Sequence, residues 1–533
     1  MDMIGKKTLR DMWDELALTY ADKIALIFED SDGQTCSYSY KFLNSRINQA
    51  ANLFLSRGVS KGDRVAVHMN NHPAIIFCWF GLAKIGAIMV PVNTQYIYDE
   101  CEYLITKCGI AHVVAHQDYL HIYEKMSHDG IKIKQLLTIG CGQIDGESDF
   151  STLLASQPEE LTHIVDINVD DPAEILFTSG TTARPKGVVY THYNLRFTGY
   201  FNAWQVALRS DDRHLAMMPA FHADFQSTAA MPAFTVGATI IMLERYSARK
   251  FWNQVCIYRA TITECIPLMI RTLMLQPVQP WEREHCLRDV YFYMSLSDCE
   301  KDAFLERFNV RLLTTYGMTE TTVGLIGDRP GEARRWPSIG RVGFGYEAKI
   351  TDSNGNELPP GVVGDLYVRG EPGKTIFKEY YKDPEATARV LSPTGWLRTD
   401  DSAYVDEDGY FYFVDRNVNM IKRSGENISS SEIESVLEKH PRIEEAAVIG
   451  VPDDIRDELV KAFVVPRAGA KLTKEEVLSY CQENMAKFKV PSFVEICAVL
   501  PRTSTGKVQK KSLRAPELTQ ALEPTVDDFD KEV

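Results

Sequence analysis

A loop rich in hydroxyl groups, glycine and positive charge occupies residues 178–186, where the sequence reads TSGTTARPK after the apolar run EILF. Glycine lets the backbone turn its N–H groups toward an anion, hydroxyl groups add donors, and cations offset phosphate charge. The GxxxxGK[ST] spacing of P-loop NTPases does not occur here. An ordinary surface turn is the simpler alternative, but the placement of the cations favours phosphate binding. The predicted ligands are Thr178, Ser179, Gly180, Thr181, Thr182 and Lys186.

Five motifs, taken in order along the chain, resemble those of the adenylate-forming superfamily, which includes acyl-CoA synthetases, peptide-synthetase adenylation domains and firefly luciferase. They are FTSGTTARPKG at 177–187, MPAFHADF at 218–225, YGMTETT at 316–322, GWLRTDD at 395–401 and PRTSTGKVQKKSLR at 501–514. The resemblance extends from about residue 8 to residue 515. It implies MgATP, coenzyme A and a small carboxylic acid as substrates, with Mg²⁺ as the metal.

The resemblance assigns the main nucleotide contacts to the YGMTETT motif. It implies that Tyr316 stacks on adenine, with Gly317 in the turn that follows. It also implies that Thr319 contacts the α-phosphate and that Glu320 holds Mg²⁺. These roles agree with the chemistry, because an aromatic face suits a purine and a carboxylate suits a hard cation that bridges phosphates. The motif directly follows the apolar run VRLLTT, and ligands bind at the carboxyl ends of such strands.

The GWLRTDD motif departs from the family pattern, which reads Thr-Gly-Asp at this point. The resemblance implies that Asp401 binds the ribose hydroxyl groups and that Arg416 is a second ribose ligand. Asp400 occupies the position of the usual glycine, so it restricts the backbone and adds negative charge near the nucleotide. Val418 stands where most members have a polar or charged hinge residue, so the hinge electrostatics of the family are not carried over.

The resemblance implies a reaction in two halves. A carboxylate oxygen attacks the α-phosphate of MgATP to give an acyl-adenylate and pyrophosphate, and the thiol of CoA then attacks the adenylate carbonyl and releases AMP. Family members place a lysine at the position of Lys507 between the two anions, which relieves their repulsion. His222 helps to shape the carboxylate site. Gly425 lies in KRSGEN, a segment that lines the pantetheine path after the small domain rotates.

Segments outside these motifs, such as RRWPSIGRVGF and TECIPLMIRTLM, resemble family members that activate betaine acids, which implies crotonobetaine, carnitine or a related acid as substrate. A quaternary ammonium group has no hydrogen-bond donor and is commonly held by aromatic faces. We hypothesise that the cation site is formed by some of Phe201, Trp204, Phe225 and Asp224. The alternative is that Phe201 and Trp204 belong to a helix core. Three other functions are left open: a short- or medium-chain fatty acyl-CoA synthetase, a carrier-loading adenylation domain, and a catalytically silent nucleotide-binding relative.

The elements that position the predicted site residues can be read from the pattern of apolar residues. Through the first three hundred residues, short apolar runs are separated by helix-length segments. Runs such as RVAVHM, EILFTS and VRLLTT predict mostly parallel sheets covered by helices. From about Tyr346, alternating, turn-punctuated pieces predict antiparallel β structure. We therefore predict an α/β fold whose large N-terminal domain, 1–415, contains two parallel-type sheets plus a small β-barrel. A smaller, mobile α+β domain at 416–516 follows, and the acidic tail at 517–533 is predicted to be disordered.

The chain of 533 residues carries 58 basic and 73 acidic side chains, and its net charge of -15 works against general binding to nucleic acid or acidic membranes. The eleven cysteines form no CxxC pair or zinc-type cluster, which is typical of reduced thiols in a cytoplasmic protein. Lys84 interrupts the apolar run at 74–92 and Pro91 closes it, so a buried helix and strand are predicted rather than an integral membrane segment. The first twenty residues resemble no signal peptide. A homo-oligomer is left open.

Overall fold

The computed structural model describes residues 2–140, 149–178, 184–293, 296, 298–352, 354–416, 420–501, 508 and 510–513. The α-helices are α1 (Leu9–Thr19), α2 (Tyr40–Ser56), α3 (Pro73–Lys84), α4 (Tyr98–Cys108), α5 (Leu120–His128), α6 (Phe150–Ala155), α7 (His192–Gln205), α8 (Met231–Val236), α9 (Phe251–Ile257), α10 (Pro267–Met274), α11 (Asp298–Phe308), α12 (Pro384–Val390), α13 (Ser430–Glu438), α14 (Lys474–Asn484) and α15 (Lys510–Leu513). A π-helix spans Phe225–Ala230.

Twenty-four strands are interspersed with these helices along the described residues. They are β1 (Ile24–Glu29), β2 (Thr35–Ser39), β3 (Arg64–His68), β4 (Ile88–Pro91), β5 (His112–His116), β6 (Gln135–Ile139), β7 (Pro172–Thr178), β8 (Lys186–Thr191), β9 (Arg213–Ala216), β10 (Thr239–Leu243), β11 (Ile262–Cys265), β12 (Asp289–Phe292), β13 (Arg311–Tyr316), β14 (Ile326–Gly327), β15 (Arg341–Val342), β16 (Glu347–Thr351), β17 (Gly364–Arg369), β18 (Trp396–Val405), β19 (Phe411–Arg416), β20 (Met420–Arg423), β21 (Glu426–Ser429), β22 (Ile443–Asp453), β23 (Asp457–Pro466) and β24 (Phe493–Ile496).

Two large sheets with mainly parallel strands form the first part of the chain. One has the order β15-β14-β13-β12-β11-β9-β10-β1-β2 and is parallel from β13 to β1. The other has the order β6-β5-β3-β4-β7-β8 and is parallel from β6 to β7. Parallel strands are covered on both faces and therefore need continuous apolar sequence; every residue of β10, TIIML, is buried. The predicted α/β class with two parallel-type sheets is confirmed.

The apolar run that ends in Pro91 folds as the predicted buried helix and buried strand. All residues of α3 and β4 are buried. Lys84 is 1% exposed, and its ammonium group donates to Asn44 and Asn48 at 2.8 Å each and to Asp14 at 2.6 Å. The buried charge is therefore paired, as burial of an ammonium group requires. Across the described ranges, no helix combines the length and the apolar character that a membrane crossing requires.

Antiparallel structure begins where the sequence pattern changes. Strands β16 to β19 form a four-stranded antiparallel sheet in chain order. The last described part of the chain has its own sheet of order β21-β20-β23-β22, with β24 parallel to β23. Helices α13 and α14 supply Ile433, Leu437 and Val477 to a separate apolar core on this sheet.

Two buried ion pairs join this last unit to the rest of the molecule. The Lys489 ammonium group lies 2.5 Å from a Glu100 carboxylate oxygen and 2.8 Å from Glu432. Burial opposes the charge of Lys489, but the two carboxylates outweigh it and raise the pKa of this lysine. Arg271 of α10 lies 3.0 Å from Asp457 at the start of β23. Each pair holds the small unit in one orientation against the large one.

Candidate active site

Most predicted site residues lie around one cavity of about 500 Å³ at the carboxyl ends of parallel strands. Thr178 ends β7 and Tyr316 ends β13, while Ile266 and Tyr293 directly follow β11 and β12. Open α/β sheets bind their ligands at this edge, where loops diverge and polar groups converge. The predicted residues that line the cavity are Thr178, Lys186, His222, Asp224, Tyr316, Gly317, Thr319, Glu320, Asp401 and Gly425.

The predicted adenine and ribose residues form one wall of the cavity. The Tyr316 hydroxyl donates to Oδ2 of Asp401 at 2.6 Å, and Asp401 is 1% exposed. Arg416 of β19 is the register partner of Asp401 in β18. Gly317 is required next to them because a Cβ atom there would lie 2.3 Å from the Val323 carbonyl oxygen. The backbone turn after β13 can therefore pass close to a bound nucleotide.

Tyr380, which sequence reasoning missed, contacts both the predicted metal ligand Glu320 and the predicted phosphate ligand Lys186. The Tyr380 hydroxyl donates to Glu320 Oε1 at 2.6 Å, and Lys186 Nζ lies 5.0 Å from the centroid of the Tyr380 ring. Burial first, and then Glu320, raise the Tyr380 pKa far above its ordinary value, so it is a donor and not an anion. The only sequence signal for Tyr380 is the aromatic pair in KEYYKD, which core residues would equally give.

Glu320 has a setting that fits Mg²⁺. The carboxylate is 6% exposed and lies at the cavity wall, and it has no ion-pair partner within the described part of the chain. Next to it, the carbonyl group of Thr319 accepts a hydrogen bond of 2.5 Å from Tyr190, so the backbone of the motif is fixed. Mg²⁺ usually binds through one or two carboxylates together with substrate phosphates and water, and one anchored carboxylate satisfies that requirement.

Asp400 itself adopts a backbone conformation that favours glycine. Its φ of 59° lies in the left-handed region, which costs most residues about 1–2 kcal/mol but which aspartate tolerates better than they do. Its carboxylate lies 2.7 Å from the Arg398 guanidinium group. The added negative charge is thus paired locally before it can act on the nucleotide.

His222 and Asp224 lie together on the opposite side of the cavity. The Asp224 backbone N–H donates to His222 Nδ1 at 3.2 Å, and the Thr228 hydroxyl donates to Asp224 Oδ1 at 2.9 Å. Burial raises the pKa of Asp224 above its ordinary value, against the opposing effect of His222. An acid held in this way would gain from a cationic ligand, because the cation would favour its charged form.

The three aromatic residues predicted for the acyl pocket are not among the described residues that line the cavity. Phe201 is fully buried in the core and packs on Phe344 at a centroid distance of 5.1 Å. Trp204 is 41% exposed, beneath the guanidinium group of Arg329 at 4.6 Å. Phe225 is fully buried at the start of the π-helix. Of the four residues hypothesised for the cation site, Asp224 lines the described cavity and these three aromatic side chains do not.

The small unit presents its KRSGEN segment to the cavity. Lys422 and Gly425 both line it. Gly425 has a φ of 88°, and a Cβ atom there would lie 3.0 Å from Ile266 Cδ1, so this turn lies against the end of β11. Predicted site residues Ser179, Gly180, Thr181, Thr182 and Lys507 lie outside the described residues, as does Val418; the side chain of Arg416 is likewise not described.

The fold and the cavity are those of the adenylate-forming enzymes, and the chain belongs to the AMP-binding enzyme family. Residues 13–381 match the model of that family, and residues 432–507 match the model of its C-terminal domain.

Three individual proteins show in more detail what the chain is similar to. The chain is 57% identical over 518 residues to a crotonobetaine/carnitine–CoA ligase of Proteus mirabilis, an alignment that covers 96% of this chain and 100% of that protein. The amide bond synthetase McbA of Marinactinospora thermotolerans is 26% identical, with a TM-score of 0.84 and coverage of 95% and 99%. The anthranilate CoA ligase AuaEII, in complex with anthranoyl-AMP, is also 26% identical, with a TM-score of 0.71 and coverage of 95% and 96%.

Proposed function

We propose that the protein is an ATP-dependent carboxylate–CoA ligase that forms an acyl-adenylate and then an acyl-CoA thioester on crotonobetaine, carnitine or a related betaine acid. The observation that carries the proposal is the identity of 57% over 96% of the chain to a crotonobetaine/carnitine–CoA ligase. The cavity supports it, because the same cavity holds a nucleotide wall with Tyr316 and Asp401 and an acidic wall with Asp224.

The first half of the reaction takes place along the nucleotide wall. Tyr316 supplies a face for adenine and Asp401 accepts from the ribose hydroxyl groups, while Lys186 offsets phosphate charge. Glu320 would hold Mg²⁺, which would supply positive charge against the phosphates. Lys507 is proposed to lie between the carboxylate and the α-phosphate. The nucleophile belongs to the substrate, so the protein contributes position and charge.

The second half requires a path for the pantetheine arm of CoA. Gly425 lines the cavity from the small unit, and Lys489 and Arg271 form ion pairs that hold this orientation. We propose that the described orientation is the one for thioester formation and that a rotation brings Lys507 to the cavity for adenylation. Rotation of a domain between half-reactions is an ordinary enzymatic device. The reaction is proposed to occur in the cytoplasm, which agrees with the ten described cysteines being free thiols.

Carboxylate-dependent exchange between ATP and labelled pyrophosphate tests the first half directly. Purified protein is assayed with crotonobetaine, carnitine, γ-butyrobetaine, butyrate and hexanoate, and mass spectrometry then identifies any thioester formed with CoA. We expect exchange and thioester formation with the betaine acids. A preference for butyrate or hexanoate would replace the betaine substrate by a fatty acid, and exchange with none of the acids would favour a silent relative.

A further inference from the structure

A second carboxyl group lies buried beside the cavity, in a position that neither the motifs nor the proposed reaction uses. Glu264 belongs to β11 and is 0% exposed. Neither of its carboxylate oxygens accepts a hydrogen bond of normal geometry from a described residue; the Met218 backbone N–H lies near enough only to oppose the effect of burial on the Glu264 pKa. No described lysine or arginine forms an ion pair with Glu264. A carboxyl group buried in this way costs free energy unless something pairs with it.

The strand register places Glu264 on the same sheet face as residues that line the cavity, although Glu264 itself is not among the described lining residues. Glu264 is the register partner of Tyr291 in β12. Directly paired residues share a face of the sheet, and so do residues two apart in one strand. Glu264 therefore shares its face with Tyr293, which lines the cavity. The residue two positions after Glu264, Ile266, lines the cavity as well.

The pKa shifts of Glu264 and Tyr293 agree with the shared sheet face and with a position of both groups near Asp224. Burial first, and then the charge of Asp224, raise the pKa of Glu264 well above its ordinary value. Burial, followed by Asp224 and Glu264, likewise raises the pKa of the Tyr293 hydroxyl. Two carboxyl groups that face each other without a cation between them cannot both ionise readily. Two neighbouring acids of this kind therefore favour a cationic ligand.

Two classes of cationic group could pair with the carboxyl groups of Asp224 and Glu264. A primary ammonium or guanidinium group would bring several N–H donors, whereas a quaternary ammonium group brings charge without any donor. The acidic wall provides charge and an aromatic ring at Tyr293. Both kinds of cation would supply charge to the two acids, and the choice of the quaternary ammonium group rests on the proposed function, whose betaine acids carry that group.

We propose that Glu264, together with Asp224, forms the subsite that takes the quaternary ammonium end of the acyl substrate, which makes Glu264 a specificity-determining residue. This inference rests on the proposed function and deepens it. The carboxylate end of the substrate then points toward His222 and the nucleotide wall, and the cationic end lies against β11 and the residue that precedes the π-helix.

A second buried acid in the same molecule supplies a matched comparison. Glu174 of β7 is also 0% exposed, and burial raises its pKa to about 8. Unlike Glu264, it accepts a hydrogen bond of 2.7 Å from the Gln226 side chain. Neither acid is among the described residues that line the cavity, but the Glu174 pKa is shifted by burial, Gln226 and Trp79, whereas Asp224 contributes to the pKa shift of Glu264. Glu174→Gln therefore removes a buried carboxyl group of the same kind without touching the proposed subsite.

The test compares two substrates that differ in charge but not in shape. Crotonobetaine is paired with 5,5-dimethylhex-2-enoate, in which carbon replaces the quaternary nitrogen, and kcat/KM for adenylation of each acid is measured. In Glu264→Gln we expect the ratio of kcat/KM for the betaine to that for the neutral acid to fall at least ~10-fold, since truncation of one partner of a buried charge pair usually costs that much or more. The loss should appear in KM for the betaine, and Glu174→Gln should keep the wild-type ratio.

Each outcome separates the two proposals. Wild-type preference for the betaine with an unchanged ratio in Glu264→Gln overturns the subsite but leaves the proposed function standing. Wild-type preference for the neutral acid overturns the proposed function and the subsite with it. Turnover of the neutral acid shows that a variant is folded; if Glu264→Gln does not fold, Asp224→Asn undergoes the same comparison and an unchanged ratio there counts equally against the subsite.

Discussion

The nucleotide wall of the cavity differs from its acidic wall, called the acyl wall from here on, in how the polar groups are satisfied. On the nucleotide wall, Tyr316 bonds Asp401 at 2.6 Å and Tyr380 bonds Glu320 at 2.6 Å. On the acyl wall, neither carboxylate oxygen of the buried Glu264 accepts a hydrogen bond of normal geometry from a described residue. The nucleotide wall is thus preorganised before its ligand arrives, whereas the acyl wall is completed electrostatically by its ligand.

This difference agrees with what each wall must do. Every family member binds the same nucleotide, so fixed donors and acceptors lower the cost of ordering them at the moment of reaction. The acid varies among members, and discrimination is sharpest when the wrong ligand leaves a buried polar group unpaired. An acidic wall that lacks a cation would reject uncharged acids on these grounds.

The largest effect is expected for the lysine that the sequence predicts to be catalytic. Lys507→Ala should reduce ATP–pyrophosphate exchange by about 10²–10³-fold, because loss of a charge-stabilising donor from a dry site costs about that much. Thioester formation from preformed acyl-adenylate should fall far less, since the lysine acts only in adenylation. Rapid-quench measurement of both half-reactions decides this, with the exposed Lys471→Ala as control. An equal loss in both halves would contradict the assigned role.

Glu320→Gln should produce the next largest effect and confine it to the nucleotide wall. The amide oxygen can still accept from Tyr380, but the charge that attracts Mg²⁺ is lost. We expect exchange to fall about 100-fold, with a higher Mg²⁺ concentration needed for half-maximal rate, because a metal ion contributes several kcal/mol of charge stabilisation. A titration of exchange against Mg²⁺ measures both quantities. An unchanged Mg²⁺ dependence would remove Glu320 from the metal site.

Gly317→Ala tests whether the nucleotide wall is as rigid as its hydrogen bonds suggest. The new methyl group would meet the Val323 carbonyl oxygen at 2.3 Å, so the turn must shift. Overpacking of this kind costs about 1–3 kcal/mol, and we expect KM for ATP to rise about 10-fold while the preference between the two acids stays the same. Gly355 has open space around it but a φ of 84°, so the control Gly355→Ala introduces backbone strain at a residue that is not among the described residues lining the cavity and should leave KM unchanged. An altered acid preference would show that the two walls are not independent.

The nucleotide wall could be predicted from the sequence because its residues lie in short motifs directly after strands. Tyr316 and Thr178 each end a strand that the apolar pattern already indicated. The acyl wall could not be predicted in the same way. The position of Glu264 on the sheet follows from its register with Tyr291, which lies 27 positions further along the chain. A pairing over that separation leaves no local pattern in the sequence. The spacing of Phe201 and Trp204 on α7 could not tell which side of the helix faces the cavity.

Other predictions remain as the sequence left them. The phosphate-loop residues at 179–182 and Lys507 lie outside the described residues, so their roles stay predictions. The boundaries at 415 and 516 stay predictions as well; the two family models leave residues 382–431 unmatched between them, and the second model ends at 507. The sequence predicts that Asp400 constrains the backbone where a glycine is usual, and Asp400 has a φ of 59° in the left-handed region. Its ion pair with Arg398 depends on the geometry of β18, which the sequence alone does not give.

Asp400→Gly should have a small effect on the nucleotide wall. Glycine adopts the φ of 59° without strain, and the substitution removes a negative charge that Arg398 already offsets. We expect KM for ATP to fall by no more than about 3-fold, since partly exposed ion pairs contribute about 0–1 kcal/mol. Steady-state kinetics on Asp400→Gly, Arg398→Ala and the double variant isolate the pair. A higher KM in Asp400→Gly would mean that the carboxylate assists nucleotide binding.

Trp204→Leu should change the choice of acid least of all, and this makes it the sharpest check on the acyl wall. Trp204 packs edge-on against Phe344 at a centroid distance of 4.7 Å and lies under Arg329, so its loss should lower the free energy of unfolding by about 0.5–2 kcal/mol. The ratio of kcat/KM for crotonobetaine to that for its neutral isostere should stay at the wild-type value, in contrast to Glu264→Gln. Chemical denaturation and the two-substrate assay measure the two effects separately. A fall of that ratio in Trp204→Leu would return the tryptophan to the cation site, and the acyl wall would then recognise its ligand through aromatic faces instead of unpaired carboxylates.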